Sequence, residues 1–309
     1  MNPNEYNTLF LPRAFDHAAL MECVNALCEK YPNLHFQYLG NSILGRGIPL
    51  LSMGTGKREV LYVGAHHGME WITSLLLTRF VRDLCEEVER GSCPYKLSLD
   101  LLLETYRLYI VPMLNPDGVE YQLHGITTEN PIYERVMEMN QGRDDFGNWQ
   151  ANARGVDLNH NYDAGFFEYK ALEAQNGIDG GCATRFSGES PESEPETASL
   201  CNFIRFHEEL VGVMTLHTQG EEIFWKSGGI TPKGAAGAAR RLSILTGYRL
   251  SDAEGLSSYG GLTDWCVQHL HLPSFTLECG RGVNPLPVTD SQTVYPRLRE
   301  AFFRFPTLL

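Results

Sequence analysis

No stretch of the sequence approaches the roughly twenty consecutive apolar residues that a membrane-spanning helix requires, so no bilayer-crossing helix is expected. Positive charge is scarce: 25 Lys and Arg stand against 38 Asp and Glu, a formal net charge of −13. That balance leaves no basic stripe to neutralise phosphates, so nucleic acid is not an expected partner, and an anionic membrane surface repels the chain. The eight cysteines (Cys23, Cys28, Cys85, Cys93, Cys182, Cys201, Cys266, Cys279) are dispersed without a C-x-x-C pair. A chain of this length does not need disulfide staples. The opening residues lack the basic start and apolar run of a secretory signal, and the expectation is a cytoplasmic protein with reduced thiols. Neither G-x-S-x-G nor G-x-x-x-x-G-K-[ST] occurs, and His207-Glu208 begins like H-E-x-x-H but meets Val211 where the second histidine belongs.

What is present supports a large core. Hydrophobic residues make up 43% of the 309, enough for one sizeable domain, expected to span residues 1–309. Leu20, Val24 and Leu27 after Asp16 predict a helix over Phe15 to Lys30, and Leu75, Leu76, Phe80 and Leu84 predict one over Ile72 to Val88. Gly234 to Thr246 and Gln292 to Phe303 are further helix candidates. His35 to Leu39 and Ile48 to Met53 read as a hairpin. Residues 122–154 and 177–194, rich in Gly, Asn, Asp, Ser and Pro, read as long functional loops.

Four apolar, strand-like runs stop where polar chemistry starts. Val60 to Ala65 precedes His66-His67, Leu108 to Leu114 precedes Asn115, Leu210 to Leu216 precedes His217, and Phe275 to Leu277 precedes Glu278. In open α/β sheets ligands sit beyond the carboxyl ends of the strands, so these four ends can converge on one pocket.

Two imidazoles and a carboxylate form the ligand set of a catalytic zinc that keeps one position open for water. His67, Glu70 and His217 supply such a set, and Glu278 can then take the water's proton. Each residue has a plainer reading. H-x-x-E arises by chance, His66 is an adjacent imidazole that strand alternation points the other way, and a strand-ending histidine such as His217 can simply bond a carbonyl. Glu278 is harder to explain that way, because a carboxylate behind Pro273-Ser-Phe-Thr-Leu is costly to desolvate unless it is paired or used.

The ordered motifs His67-x-x-Glu70-Trp-Ile-Thr, Asn115-Pro-Asp-Gly, Gly155-Val-Asp-Leu-Asn159, Asp163-Ala-Gly-Phe, His217, Gly260-Gly-x-x-Asp264-Trp265 and Thr276-Leu-Glu278 resemble those of the zinc carboxypeptidase (M14) family, from about Val60 to Gly282. The resemblance implies an α/β fold, a single domain whose mixed, largely parallel twisted sheet is flanked by helices. It also implies that His67, Glu70 and His217 hold one catalytic Zn2+ and that Glu278 is the general base and later the acid.

Departures from the pattern point to a subfamily. Asn159-His160 stands where carboxypeptidases have the Asn-Arg that grips a terminal carboxylate, Gln150 stands where an oxyanion-stabilising Arg follows Trp, and Leu256 aligns with the pocket-capping tyrosine. The segments after His217 and Glu278, the latter running Glu278-Cys-Gly-Arg-Gly-Val-Asn284-Pro, are similar to the bacterial γ-D-glutamyl-L-diamino acid endopeptidase branch. That branch cleaves between γ-D-Glu and meso-diaminopimelate in cell-wall stem peptides. The expected function is therefore zinc-dependent hydrolysis of this bond in small muropeptide fragments.

Further assignments follow from these motifs. Arg154 is the candidate oxyanion donor, with Arg143 second and a loop-organising salt bridge as the alternative for Arg154. Asn159 and His160 are candidates for holding a substrate carboxylate, or else for tying their loop together. Asp157 is expected to orient a zinc histidine. Tyr259 and Thr263 are candidate lining of the specificity pocket, and Glu221, Glu222 or Asp252 of recognition of a substrate ammonium group. Two other functions stay open: a carboxypeptidase or zinc deacylase acting on other peptides or N-acyl amino acids, and a catalytically silent binding module for wall fragments. The oligomeric state is not fixed by the sequence.

Overall fold

The computed structural model describes residues 3–92, 94–253, 255 and 258–309. Cys93 and Leu256 lie outside them. Eight strands form one mixed sheet: β1 (His35–Asn41), β2 (Gly47–Met53), β3 (Arg58–Val63), β4 (Tyr106–Val111), β5 (Leu210–His217), β6 (Glu222–Phe224), β7 (Arg249–Leu250) and β8 (Ser274–Glu278). Their order is β1-β2-β4-β3-β5-β8-β6-β7. The β4-β3-β5-β8 centre is parallel, whereas β1-β2, β2-β4 and β8-β6 pair antiparallel.

Helices cover both faces, which is why the central strands read as continuous apolar runs. Alternate residues of β3 divide between two cores. Val60 and Tyr62 pack with the helices Ile72–Glu89, Ala235–Thr246 and Ser291–Leu308, while Leu61 and Val63 pack with Leu200, Ile204, Leu262 and Trp265 of the opposite layer. Leu76, fully buried in the first core, is a position where truncation to Ala costs about 2–5 kcal/mol. A third cluster, including Tyr121, Met139, Phe146, Trp149 and Ala183, gives the long loops their own packing.

The predicted N-terminal helix is His17–Lys30, capped by the Asp16 carboxylate, which accepts from the Ala19 N–H at 2.8 Å. The C-terminal helix is longer than its apolar spacing indicated and continues through Pro296 and Pro306 to Leu308. The helices Leu99–Thr105, Phe166–Gln175, Pro195–Phe206 and Leu262–Leu270 have no counterpart in the periodicity reading. Tyr133–Met139 is helical inside a segment read as loop, with only Val136 and Met139 buried. No helix among the described residues is long and apolar enough to cross a membrane.

Candidate active site

The parallel strands β3, β5 and β8 point their carboxyl ends the same way, and the chemistry lies there. β3 is followed at once by the turn carrying His66 and His67, β5 ends on His217, and β8 ends on Glu278, which is paired in register with His217. Asn115 fastens this rim. It caps the helix Pro116–His124 by accepting from the Gly118 N–H at 2.9 Å, and its amide donates to the carbonyls of His66 (2.9 Å) and Ala151 (3.1 Å). Backbones approach closely here. A Cβ on Gly68 would lie 2.3 Å from the Gly118 carbonyl oxygen, and one on Gly118 would lie 2.3 Å from that of Ala151, so neither glycine can carry a side chain without movement.

His67, Glu70 and His217 converge, each buried, with one ligand atom apiece all within 4.8 Å of one another. His67 Nδ1 is 2.9 Å from Glu70 Oε1, and His217 Nδ1 is 3.1 Å from Glu70 Oε2. The two Nδ1 atoms stand only 3.3 Å apart. Ring nitrogens and carboxylate oxygens of this kind, turned to one point, fit a divalent cation such as zinc. Asp157, fully buried, accepts from the Asn159 N–H at 3.1 Å and lies 3.0 Å from His67 Nε2. It thereby sets the His67 ring so that Nδ1 faces the cluster, as expected for a carboxylate behind a metal ligand. His66 is engaged elsewhere, with Tyr162 Oη at 2.9 Å and Thr215 Oγ1 at 3.3 Å.

The electrostatics favour positive charge at this point. Burial opposes ionisation of both Glu70 and Asp157, yet His67 outweighs it, bringing Glu70 down to about 2 and holding Asp157 far below the ordinary carboxylate range. Burial likewise opposes the charged form of His67, but the charges of Glu70 and Asp157 prevail and raise it. Glu278 moves the opposite way: burial, and then repulsion from Glu70, push its carboxyl well above the usual value. Two nearby carboxyl groups are thus held in contrasting states, one ionised and one inclined to carry a proton.

A cleft of about 520 Å³ includes His67, His217 and Glu278 in its lining together with Asn159, His160 and Thr263. Asn159 uses its side-chain oxygen to accept from the Leu262 N–H at 3.2 Å. His160 stacks on Tyr169 with ring centroids 3.9 Å apart and places Nδ1 2.8 Å from the Tyr259 carbonyl. Thr263 Oγ1 meets Thr276 Oγ1 at 2.8 Å and Ser274 Oγ at 3.1 Å, a hydroxyl cluster at the pocket wall. Tyr259 does not line the cleft; its ring packs against Gly165 and is partly exposed. Of the acids, Glu222 lines the cleft and pairs with Arg249, Asp252 pairs with Lys226 at 3.1 Å, and Glu221 is bound by Arg281 and Arg297.

Arg154 is also absent from the lining, and here the expectation from sequence is corrected. The turn from Asn152 to Gly155 carries its side chain to Glu194, with Nε to Oε2 at 3.0 Å, and to the Ser193 carbonyl at 3.1 Å. This is the loop-organising alternative. Arg143 lies in the wall of a neighbouring cavity. Among the described residues the arginine that lines the cleft is Arg185, which sequence reasoning missed although it lies in the Gly-rich and Ser-rich loop marked as functional.

The zinc carboxypeptidase family profile matches residues 20–296. The chain is 30% identical over 281 residues, 91% of its length and 69% of the relative's, to "Gamma-D-glutamyl-L-diamino acid endopeptidase 1" of Lysinibacillus sphaericus. It is also 30% identical to the YqgT protein of Bacillus subtilis, over 92% of this chain and 74% of the other. Among solved structures, bovine thrombin-activatable fibrinolysis inhibitor in complex with tick carboxypeptidase inhibitor superposes with a TM-score of 0.72. That match has 18% identity and covers 97% of this chain and 98% of the other, a likeness of fold.

Proposed function

The chain belongs to the zinc carboxypeptidase family, whose members are zinc-dependent metallopeptidases, and from that premise we propose that it hydrolyses the amide bond between a γ-D-glutamyl residue and meso-diaminopimelate in released muropeptides. The observation that carries this reading is the polar cleft. Thr263, Thr276, Asp264, Glu222 and Lys226 line it beside Phe224, and a diamino acid brings ammonium and carboxylate groups to meet these polar side chains. The similarity to a γ-D-glutamyl-L-diamino acid endopeptidase supports the same class. His160 in place of a permanently charged Arg offers only a soft contact to a terminal carboxylate, which suits a substrate selected by more than its C-terminus. The seven described cysteines are free, in keeping with work on soluble fragments in a reducing cytoplasm.

The residues divide the work. His67, Glu70 and His217 would hold one zinc ion, with Asp157 fixing His67. When bound, the ion supplies Lewis acidity to the scissile carbonyl and to the attacking water. Glu278 takes the proton of that water and delivers it to the leaving amine, a part for which a carboxyl with an elevated pKa is suited. Asn159 and His160 orient the substrate from the edge of the cleft, with Thr263 at the pocket wall. Mass spectrometry of products from L-Ala-γ-D-Glu-meso-diaminopimelate tests the reading. Free diaminopimelate and L-Ala-γ-D-Glu are expected, with little release of C-terminal Phe or Arg from ordinary peptides. Comparable kcat/KM on both substrate types rejects the substrate and keeps the peptidase.

A further inference from the structure

Beside the cleft lies a larger cavity of about 850 Å³, walled by Met69, Glu138, Arg143, Asp179 and the Gly-rich turn 180–183. It shares Gln150, Arg185 and Asn284 with the cleft, so these three side chains form the common boundary. The Asn284 side chain is tied down, and Gln150 is held through its backbone. The Asn284 amide exchanges hydrogen bonds with Thr218, both at 2.7 Å, and the Gln150 backbone is bound to Ala183 and Gly68. Arg185 differs. Among the described residues no carboxylate pairs with its guanidinium, in a chain of net charge −13.

The backbone of Arg185 is, by contrast, firmly placed. Its N–H donates to Asp157 Oδ2 at 3.3 Å, its carbonyl accepts from Tyr169 Oη at 3.1 Å, and its φ is 71°. A left-handed conformation is disfavoured at a non-glycine residue, and such strain persists where the surroundings over-determine it. The other oxygen of Asp157 holds His67. One buried carboxylate therefore positions both a metal-site histidine and the free arginine.

We propose that Arg185 recognises a carboxylate on the acyl side of the scissile bond, and that the larger cavity receives the residues preceding it. The assignment rests on the γ-glutamyl reading. A γ-linked glutamyl residue retains its α-carboxylate on the α-carbon, two methylenes from the reacting carbonyl, so the acyl half carries an anion close to the cut. A planar guanidinium matches that group in a bidentate pair. Thr263 and Thr276 line the cleft alone and face the diamino acid, whereas Arg185 lines both spaces and stands where the acyl half must pass. Glu138 and Asp179 in the larger cavity prevent it from being a general anion trap, which makes the selection depend on Arg185 itself.

The test compares L-Ala-γ-D-Glu-meso-diaminopimelate with the same tripeptide carrying the glutamyl α-carboxylate as a primary amide. The wild type is expected to favour the free acid by about tenfold to a hundredfold in kcat/KM, the range of a charge-assisted hydrogen-bonded contact. In Arg185→Gln that ratio falls to about one, chiefly through KM on the acid, and Arg185→Lys restores part of it. The ratio does not depend on the fraction of folded enzyme. Calorimetric affinity for the product L-Ala-γ-D-Glu should fall by a similar factor in Arg185→Gln. A wild-type ratio near one, or an Arg185→Gln ratio equal to that of the wild type, overturns the assignment and leaves the reaction standing. Failure of the wild type to release diaminopimelate from either tripeptide overturns both.

Discussion

His217 and Glu278 end neighbouring parallel strands as directly paired residues, so the register of the sheet sets an imidazole of the metal triad beside a carboxyl group outside it. A slip of one residue in either strand would turn its side chain to the other face and separate the two. The relation between the proposed metal ligand and the proposed proton carrier is thus built into backbone hydrogen bonds, and a substitution that preserves side-chain shape can separate chemistry from folding.

Glu278→Gln makes that separation. The amide keeps the volume of the side chain but cannot take a proton, and loss of a general acid or base costs about a hundredfold to ten-thousandfold. We expect kcat to fall within that range while zinc content and thermal stability stay near the wild type. Activity within a few-fold of wild type would remove Glu278 from the proton transfer.

Metal content tests the triad directly. The protein purified without added metal should carry about one zinc per chain, because two imidazoles and one carboxylate leave a single open position. His217→Ala removes the nitrogen that lies 3.1 Å from Glu70 Oε2, and elemental analysis should find the zinc largely lost. Full zinc in this variant refutes the ligand assignment.

Asp157→Asn acts one step further out. It keeps an acceptor for the Asn159 N–H but removes the charge 3.0 Å from His67 Nε2. Loss of a carboxylate behind a metal ligand weakens binding by about tenfold to a hundredfold. Competition with a chromophoric chelator measures this without reference to turnover, and an unchanged zinc affinity would leave Asp157 as a loop anchor only.

These tests concern residues whose positions were largely legible in the sequence. The ends of β3, β5 and β8 show as apolar runs stopping at His67, His217 and Glu278, because parallel strands buried on both faces leave a sharp boundary. The two arginines show where legibility stops. Arg154 is five residues from Asn159 along the chain, yet the turn at Asn152 carries it to Glu194. Arg185 is 26 residues from Asn159 and reaches the cleft because a loop folds back onto Asp157 and Tyr169. Neither path has a periodic signature. The helix Pro195–Phe206 escaped for a related reason: its proline sits in the first turn, where it is tolerated, but in the sequence it closes a Ser- and Pro-rich segment that reads as loop.

Glu196, in that first helical turn, should make stability depend on pH. Burial raises its pKa from 4.5 to about 7, with the nearby charges of Asp117 and Glu194 adding to the shift and the Ile43 N–H opposing it. The folded state then holds a proton that the unfolded state has released, so the contribution of Glu196 to stability is full below about pH 4.5 and is lost as pH rises through 7. The full difference is about 3 kcal/mol. Denaturant melts of wild type and Glu196→Gln between these limits should diverge, with the variant gaining on the wild type as pH increases. Parallel curves would show that Glu196 does not titrate in this window.

Arg154 offers the last test, because its two possible roles predict effects of different size. Its guanidinium is 43% exposed and pairs with Glu194, which also accepts from Asn152 at 2.7 Å and so keeps a partner when Arg154 is replaced. Partly exposed ion pairs contribute about 1 kcal/mol or less, so Arg154→Gln should lower Tm by only a few degrees. Turnover should stay within about twofold, since removing a donor to the reacting oxygen would cost about a hundredfold to a thousandfold instead. A steady-state kcat on the tripeptide distinguishes the two outcomes. A hundredfold loss without unfolding would return Arg154 to the reacting centre and require the Asn152–Gly155 turn to rearrange when substrate binds.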